Sequence, residues 1–420
     1  PPAHGLPPVG RAAAADRGSA LSATRALRLC VLPALAAVWA LAAWRLWQSD
    51  VPGDLALPEV DLLRRVDRET LDRADRYETF LRREYVLSQL VLVAVLVVYA
   101  RHGVRFARES AAGRVGTGLL LGMLGFGFVW LSQLPFRLAE VWWDRRYDQT
   151  ESGYVETLFA NWVELGAEFL FLSLALAIVM GLAGRFPERW WLGAAPVFVA
   201  LGAFFAFVYP YLTFSDPLDD PALVADGARY AREQGIEPIE LRVEDVTDFT
   251  SAPNAYAVGF GPTRRIVFWN TLLDSFADDE VRVVLAHELA HHSRTHIPEG
   301  IGWYALFALP GAWLIALATR RRGGMAAPAA VPLSLLVLVV LDLASLPAYN
   351  SVSRHMEAEA DWVALETVRN PDAAADLFAN FTIESLSDPD PPRWSYLLLD
   401  SHPSVRERIA MAEAWRRRRR

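Results

Sequence analysis

Lysine is missing from this 420-residue chain: all 41 basic residues are arginine. That uniformity reflects a coding sequence rich in G and C and carries no functional conclusion. Cysteine is nearly missing as well. The single Cys30 excludes a disulfide framework within one chain and a cysteine-based zinc site. Acidic residues outnumber basic ones, and a formal net charge of −8 gives a nucleic-acid role no electrostatic support. What the chain has in quantity is apolar residues, 53% of the total, gathered into blocks. A soluble protein of this length would divide into two or three domains, whereas blocks this long point to a bilayer. The chain opens on Pro rather than Met, so its true start is expected to be missing or processed.

Residues Pro1 to Thr24, rich in Pro, Gly, Ala and Ser, read as a disordered leader. A helix needs about 20 apolar residues to cross a bilayer. The runs Val115–Phe136, Trp190–Ser215, Gly300–Thr319 and Gly323–Leu341 meet or approach that length. Leu29–Trp44, Tyr85–Ala100 and Phe169–Gly184 are shorter and can extend through their flanks. The sum is seven expected spans, the first a retained helix rather than a cleaved signal peptide. Trp44, Trp47, Tyr85, Trp142, Trp143, Trp190 and Trp191 lie near span ends, as interfacial anchors do. The expected fold is therefore mainly α and polytopic. The expected division is a leader (1–25), spans one to five (26–215), a polar segment (216–299), spans six and seven (300–350) and a second polar segment (351–420). Two crossings return the chain to its starting side, so both polar segments can build one α+β domain. Arginine density favours the cytoplasmic side for that domain. Leu62 to Glu84, charged with helically spaced apolar residues, reads as a surface helix leading into a span.

The stretch "VVLAHELAHH", Val283 to His292, carries the chemistry. Asp278 to Thr295 reads as a helix, with Asp278, Asp279 and Glu280 suited to its N-terminus. His287 and His291, four apart, project from one helix face and can hold one Zn²⁺. Glu288, one position on, is suited to act as general base on a water. A catalytic zinc needs a third protein ligand. A histidine six residues after the second is excluded, because Ile297 stands there and Arg294 occupies the accompanying glycine position. In "SRHMEAEAD", Ser353 to Asp361, Glu357 and Asp361 share a helix face. Glu357 is the candidate ligand, and Asp361 the candidate partner that orients a ligand histidine. His355 competes as a ligand but points elsewhere. Glu359 reads as a solvated carboxylate, and His292 and His296 as a surface or interfacial pair. The turn "SAPN" leads into a strand, Ala255–Val258, able to add an extended peptide to a sheet edge. Asn254 and Ala255 are its candidate substrate contacts.

With these motifs the chain resembles the type I CAAX prenyl endopeptidases, integral-membrane zinc metallopeptidases of the gluzincin type found also in bacteria. The resemblance rests on HELAH together with Ser353, Arg354, Glu357, Ala360 and Asp361. It rests also on Asn350, "NAYAVGF" (Asn254–Phe260), "RRIVFWNTLL", "HPSVRERI" (His402–Ile409) and "LPFRLAEVWWDRRY" (Leu134–Tyr147). Length and span number favour this branch over the shorter heat-shock membrane protease. The resemblance implies about seven helices enclosing a water-filled chamber, with a zincin-like catalytic domain. Glu164, Glu168 and Asp342 would then face that chamber. It implies one Zn²⁺ per chain held by His287, His291 and Glu357, Arg354 and Asp361 behind the ligands, and His402, supported by Arg408, as oxyanion donor. The expected partners are the bilayer and a peptide or protein substrate, membrane-associated or lipidated, and no nucleic acid. The expected location is the inner or plasma membrane of a bacterium. Two other readings stay open: a quality-control protease indifferent to prenyl groups, and a non-catalytic scaffold with a structural zinc. A protease cutting within the bilayer is disfavoured, because Asp278–Glu280, Arg282 and Arg294 flank the motif with charge.

Overall fold

The structure is a computed structural model that describes residues 33–107, 112–155, 162–247 and 250–420, with the side chains of 162–165, 167 and 168 left out. The leader, the start of the first expected span and the Glu164 and Glu168 side chains lie outside the described residues. The chain divides into a short unit, Pro1–Gln48, and a main body, Ser49–Arg420. Within the first unit lies one apolar helix, α1 (Pro33–Leu46).

The main body is built from helices α2 (Arg68–His102), α3 (Gly113–Arg146), α4 (Trp162–Arg185) and α5 (Trp190–Val208). A small mixed domain follows: β1 (Asp216–Pro217), α6 (Pro221–Glu233), β2 (Glu240–Glu244), β3 (Ala255–Val258), β4 (Arg265–Trp269), α7 (Asn270–Ser275) and α8 (Asp278–Ser293). Next come α9 (His296–Thr319) and α10 (Val331–Val368), then α11 (Pro371–Glu384), α12 (Arg393–Leu398) and α13 (Val405–Arg419). Among the described residues five helices are long and apolar enough to cross a membrane: Arg68–Phe106, Gly113–Arg146, Trp190–Tyr211, His296–Arg322 and Pro328–Val368. The two other expected spans correspond to shorter apolar helices, Pro33–Leu46 and Phe169–Arg185. Large apolar side chains such as Leu309, Trp313, Leu314 and Leu317 stand exposed along α9. In water that surface would be costly, whereas lipid tails are as apolar as the side chains themselves.

The compositional border at residue 350 is not a structural one. The 38-residue α10 passes through it unbroken, carrying the apolar run and the Glu357 motif on one rod. The surface helix expected from Leu62 to Glu84 is likewise the first half of α2, which starts behind the N-cap Asp67.

The sheet order is β1-β2-β4-β3, with β2 and β4 parallel and the other pairs antiparallel, so β3 forms one edge. Ile266 and Phe268 point from β4 into the principal core. There they meet Leu285 and Leu289 of α8, Leu365 of α10, Phe378 of α11 and Ile409 of α13. Both polar segments therefore contribute to one core. Val60, Leu62 and Val66 join it from the segment ahead of α2, a contribution with no signature in that short stretch.

Candidate metal centre

Helix α8 begins where the acidic residues predict. Glu280 turns its carboxylate back to accept from the Ala277 N–H at 3.0 Å, capping the first turn. One face of α8 packs on the sheet and α11, and α10 lies alongside it. That pairing brings Glu357 to His287 and His291: one ligand-type atom from each lies within 4.8 Å of the others. His287 Nε2 is 3.1 Å from His291 Nε2 and 3.1 Å from Glu357 Oε2, and His291 Nε2 is 3.6 Å from Glu357 Oε1. Ligands about 2.05 Å from a tetrahedral zinc would stand about 3.3 Å apart. The observed separations, those to Glu357 each taken to the nearer carboxylate oxygen, are of that size. Two imidazole nitrogens facing each other at 3.1 Å also need a cation or a proton between their lone pairs. In keeping with this, burial holds His291 below its usual range. For His287, burial is outweighed by Asp361 and Glu357, which raise it. The donor set of two nitrogens and a carboxylate fits a divalent metal of zinc's kind.

Glu288 is buried, and burial raises its pKa to about 7. The Ala257 backbone of β3 lies beside its carboxylate. Asp361 Oδ1 lies 2.9 Å from His287 Nδ1, close but poorly aligned for a hydrogen bond. Arg408 grips Asp361 with two bonds, Nε to Oδ2 at 2.8 Å and Nη2 to Oδ1 at 2.6 Å, and its guanidinium lies 4.1 Å from the Phe378 ring. Its action on the cluster therefore runs through Asp361. Arg354 donates through Nη1 to the carbonyls of Tyr396 and Asp400, and Asn350 Nδ2 to that of Leu398. These two residues of α10 thus fasten the loop that presents His402. His402 Nε2 stands 3.3 Å from Glu357 Oε2, and its side chain is 57% exposed on the open side of the cluster. On β3 the Asn254 carbonyl already accepts from Trp269 N at 2.9 Å, and Ala255 pairs with Phe268. An extended peptide would have to use the other edge of that strand. Asp342 is exposed.

Two expectations fail here. Glu359 is not a solvated carboxylate: it is buried, with Oε1 accepting from Asp50 N at 2.8 Å and Oε2 standing 3.3 Å from His296 Nε2. His292 and His296 are not a surface pair on one helix. Both are buried, His292 bonded to the Arg265 carbonyl at 3.0 Å and His296 beside His291. The reason is local: Thr295 adopts left-handed φ, +61°, which ends α8 and starts α9 with His296 turned back. A cavity of about 310 Å³ lies elsewhere, between α2 and α3, lined by Glu84, Ser88, Gln133, Arg137 and Glu140 among others. No residue of the histidine cluster lines it.

Comparison with known proteins agrees with this geometry. Residues 217–416 match peptidase family M48. The chain is 30% identical over 279 residues to an uncharacterized metalloprotease, YhfN, of Bacillus subtilis, an alignment covering 63% of this chain and 65% of YhfN. It is 35% identical over 92 residues to CAAX prenyl protease 1 of Saccharomyces cerevisiae, covering 22% of this chain and 20% of that protein. The chain thus spans less than two thirds of the length of either relative. The crystal structure of S. mikatae Ste24p superposes with a TM-score of 0.71 at 19% identity, over 89% of this chain and 96% of that one, a likeness of fold. The resemblance read from the motifs is borne out over residues 217–416, the stretch that matches peptidase family M48.

Proposed function

We propose that the chain is a membrane-embedded zinc metalloendopeptidase, with one Zn²⁺ per chain held by His287, His291 and Glu357. The observation that carries this reading is the triangle of ligand atoms, of tetrahedral size, with a buried carboxylate beside it. Bound zinc supplies Lewis acidity toward a water nucleophile and a scissile carbonyl. Glu288, its pKa held near neutrality by burial, takes the proton of the attacking water and returns it to the leaving amine. His402, on the open side, donates to the developing oxyanion. Arg408 acts by holding Asp361 against His287, and Arg354 by holding the His402 loop. The outer edge of β3 takes an extended substrate in fixed register, next to Glu288, with Asn254 and Ala255 contacting the substrate.

The substrate class is a peptide or protein segment, membrane-associated or lipidated. The arginines of Arg64–Arg83, Arg145–Arg146 and the C-terminus lie on the catalytic side in the seven-span reading. They support a cytoplasmic catalytic domain in a bacterial plasma membrane. The test is cleavage of matched prenylated and unmodified peptides by purified protein, wild type beside Glu288→Ala, with metal assayed on both. Cleavage by wild type alone, with zinc on both, is the expected result. Equal rates on both peptides would remove the prenyl requirement. Zinc on both without cleavage of either would leave a metal scaffold as the better description.

A further inference from the structure

The two histidines of the metal centre differ in what stands behind them. His287 has a carboxylate directly at its far nitrogen, Asp361 at 2.9 Å. His291 has no carboxylate there; its Nδ1 faces His296 Nδ1 at 2.9 Å. His296 in turn sets Nε2 3.3 Å from Glu359 Oε2, and Glu359 Oε1 accepts from the Asp50 N–H at 2.8 Å. His296 and Glu359 are both about nineteen-twentieths buried, and neither belongs to the HELAH or SRxxE pattern of residues that read as ligands. The proton order along this line is forced. If His291 presents Nε2 to a metal, its proton sits on Nδ1. His296 Nδ1 must then accept, so the His296 proton sits on Nε2, where a carboxylate is waiting.

We infer that His296 and Glu359 form a relay that orients His291 and fixes its tautomer, the indirect counterpart of Asp361 behind His287. The inference rests on the zinc reading above. Its components come from three separate stretches. His296 is brought in by the left-handed Thr295, Glu359 lies two residues from Glu357 on α10, and the Asp50 N–H comes from the segment ahead of α2. Both residues are positioning residues, since neither ring nor carboxylate reaches the reacting atoms. A histidine in the intermediate place lets a carboxylate act on His291 from beyond the α8–α9 turn, where no acidic side chain of α8 itself reaches.

The test reads the metal and not turnover alone. Zinc affinity is measured by competition with a chromophoric chelator. The visible spectrum of the Co²⁺-loaded protein is recorded for wild type, His296→Leu, His296→Gln, Glu359→Gln and Asp50→Asn. Loss of an outer partner of a ligand histidine weakens metal affinity by about 10–100-fold. His296→Leu and Glu359→Gln should both fall in that range and shift the Co²⁺ bands. His296→Gln keeps an acceptor for His291 and a donor for Glu359, and should recover most of the loss. Asp50→Asn breaks only the surface ion pair with Arg294 and keeps the N–H, so it should match wild type. If His296→Leu does not fold, the near-isosteric Glu359→Gln decides. Unchanged affinity and spectrum in Glu359→Gln, with wild type binding zinc, overturns the relay and leaves the zinc reading standing. A wild type that binds no zinc overturns the zinc reading itself.

Discussion

At the scale of single residues, burial decides most of what each group can do. Glu288→Gln keeps the side chain's shape and removes its basicity. It should retain metal and lose about 10²–10⁴ in kcat, the usual weight of a general base, checked by steady-state kinetics with metal analysis. Arg408, its side chain 13% exposed, pairs with a buried Asp361. Arg408→Met leaves that carboxylate uncompensated and should destabilise the protein by about 3–5 kcal/mol in chemical denaturation. Arg408→Lys cannot restore the two-bond grip and should recover only part. His292, whose ring bonds the Arg265 carbonyl and not the cluster, gives a pH prediction. Its burial lowers its pKa from 6.5 to about 4. Below pH 6.5 the unfolded chain takes up a proton there that the folded chain refuses. The stability His292 contributes is therefore present above pH 6.5 and is lost as pH falls through about 4. Metal-free His292→Gln should show a shallower drop in thermal stability over that window, and an unchanged slope would mean that other groups carry it. The residue types that bind metal were legible from spacing alone, because i and i+4 share a helix face whatever surrounds them. The partners of those residues were not. Glu359 reads as solvated, and His296 as surface or interfacial, because nothing in the sequence says what lies opposite a side chain.

At the scale of elements, breaks mattered more than runs. The helix from Asp278 was legible to within a turn at both ends. Its end was legible only as a boundary, not as a geometry. A β-branched threonine in the left-handed region costs roughly 1–2 kcal/mol and has no sequence signature, since glycine or asparagine would be the usual occupant. Thr295→Gly should raise stability by about 1 kcal/mol while leaving zinc affinity unchanged, because φ stays near +61° and His296 stays in place. A fall in zinc affinity would mean that threonine itself holds the turn. The opposite case is Gly259, at the end of β3 with φ +77°. A Cβ there would meet the Thr263 carbonyl oxygen at 2.3 Å. Gly259→Ala should displace the edge strand, and with it the Ala257 backbone beside Glu288, lowering activity. The expected division at residue 350 cuts the single helix α10 in two. Its apolar and polar halves differ in composition, and periodicity cannot report that the backbone continues straight through.

At the scale of the whole molecule, the pairing of α9 with α10 returns the chain to one core, which both polar segments share. In a Cys30→Ala background, single cysteines at Asp219 and Asp390 should label from the same side of sealed vesicles, and one at Arg321 from the other. Labelling of all three from one side would remove the two crossings between them. The final arginine run is partly engaged within the protein. Arg416, Arg418 and Arg419 pair with Asp372, Asp54 and Glu366. Apolar block length determined, from the sequence by itself, that this is a membrane chain. The HELAH spacing, with Glu357 and Asp361 downstream, determined which residues are candidates for a metal. Both are properties of short stretches: bilayer thickness sets the one, and helical pitch the other. Only the tertiary structure decided that Asp50, Glu359, His296 and His291 stand in one line, and that Arg354 holds the loop of His402. Those contacts join segments tens to hundreds of residues apart, where packing of the shared core, not local pattern, sets the distances.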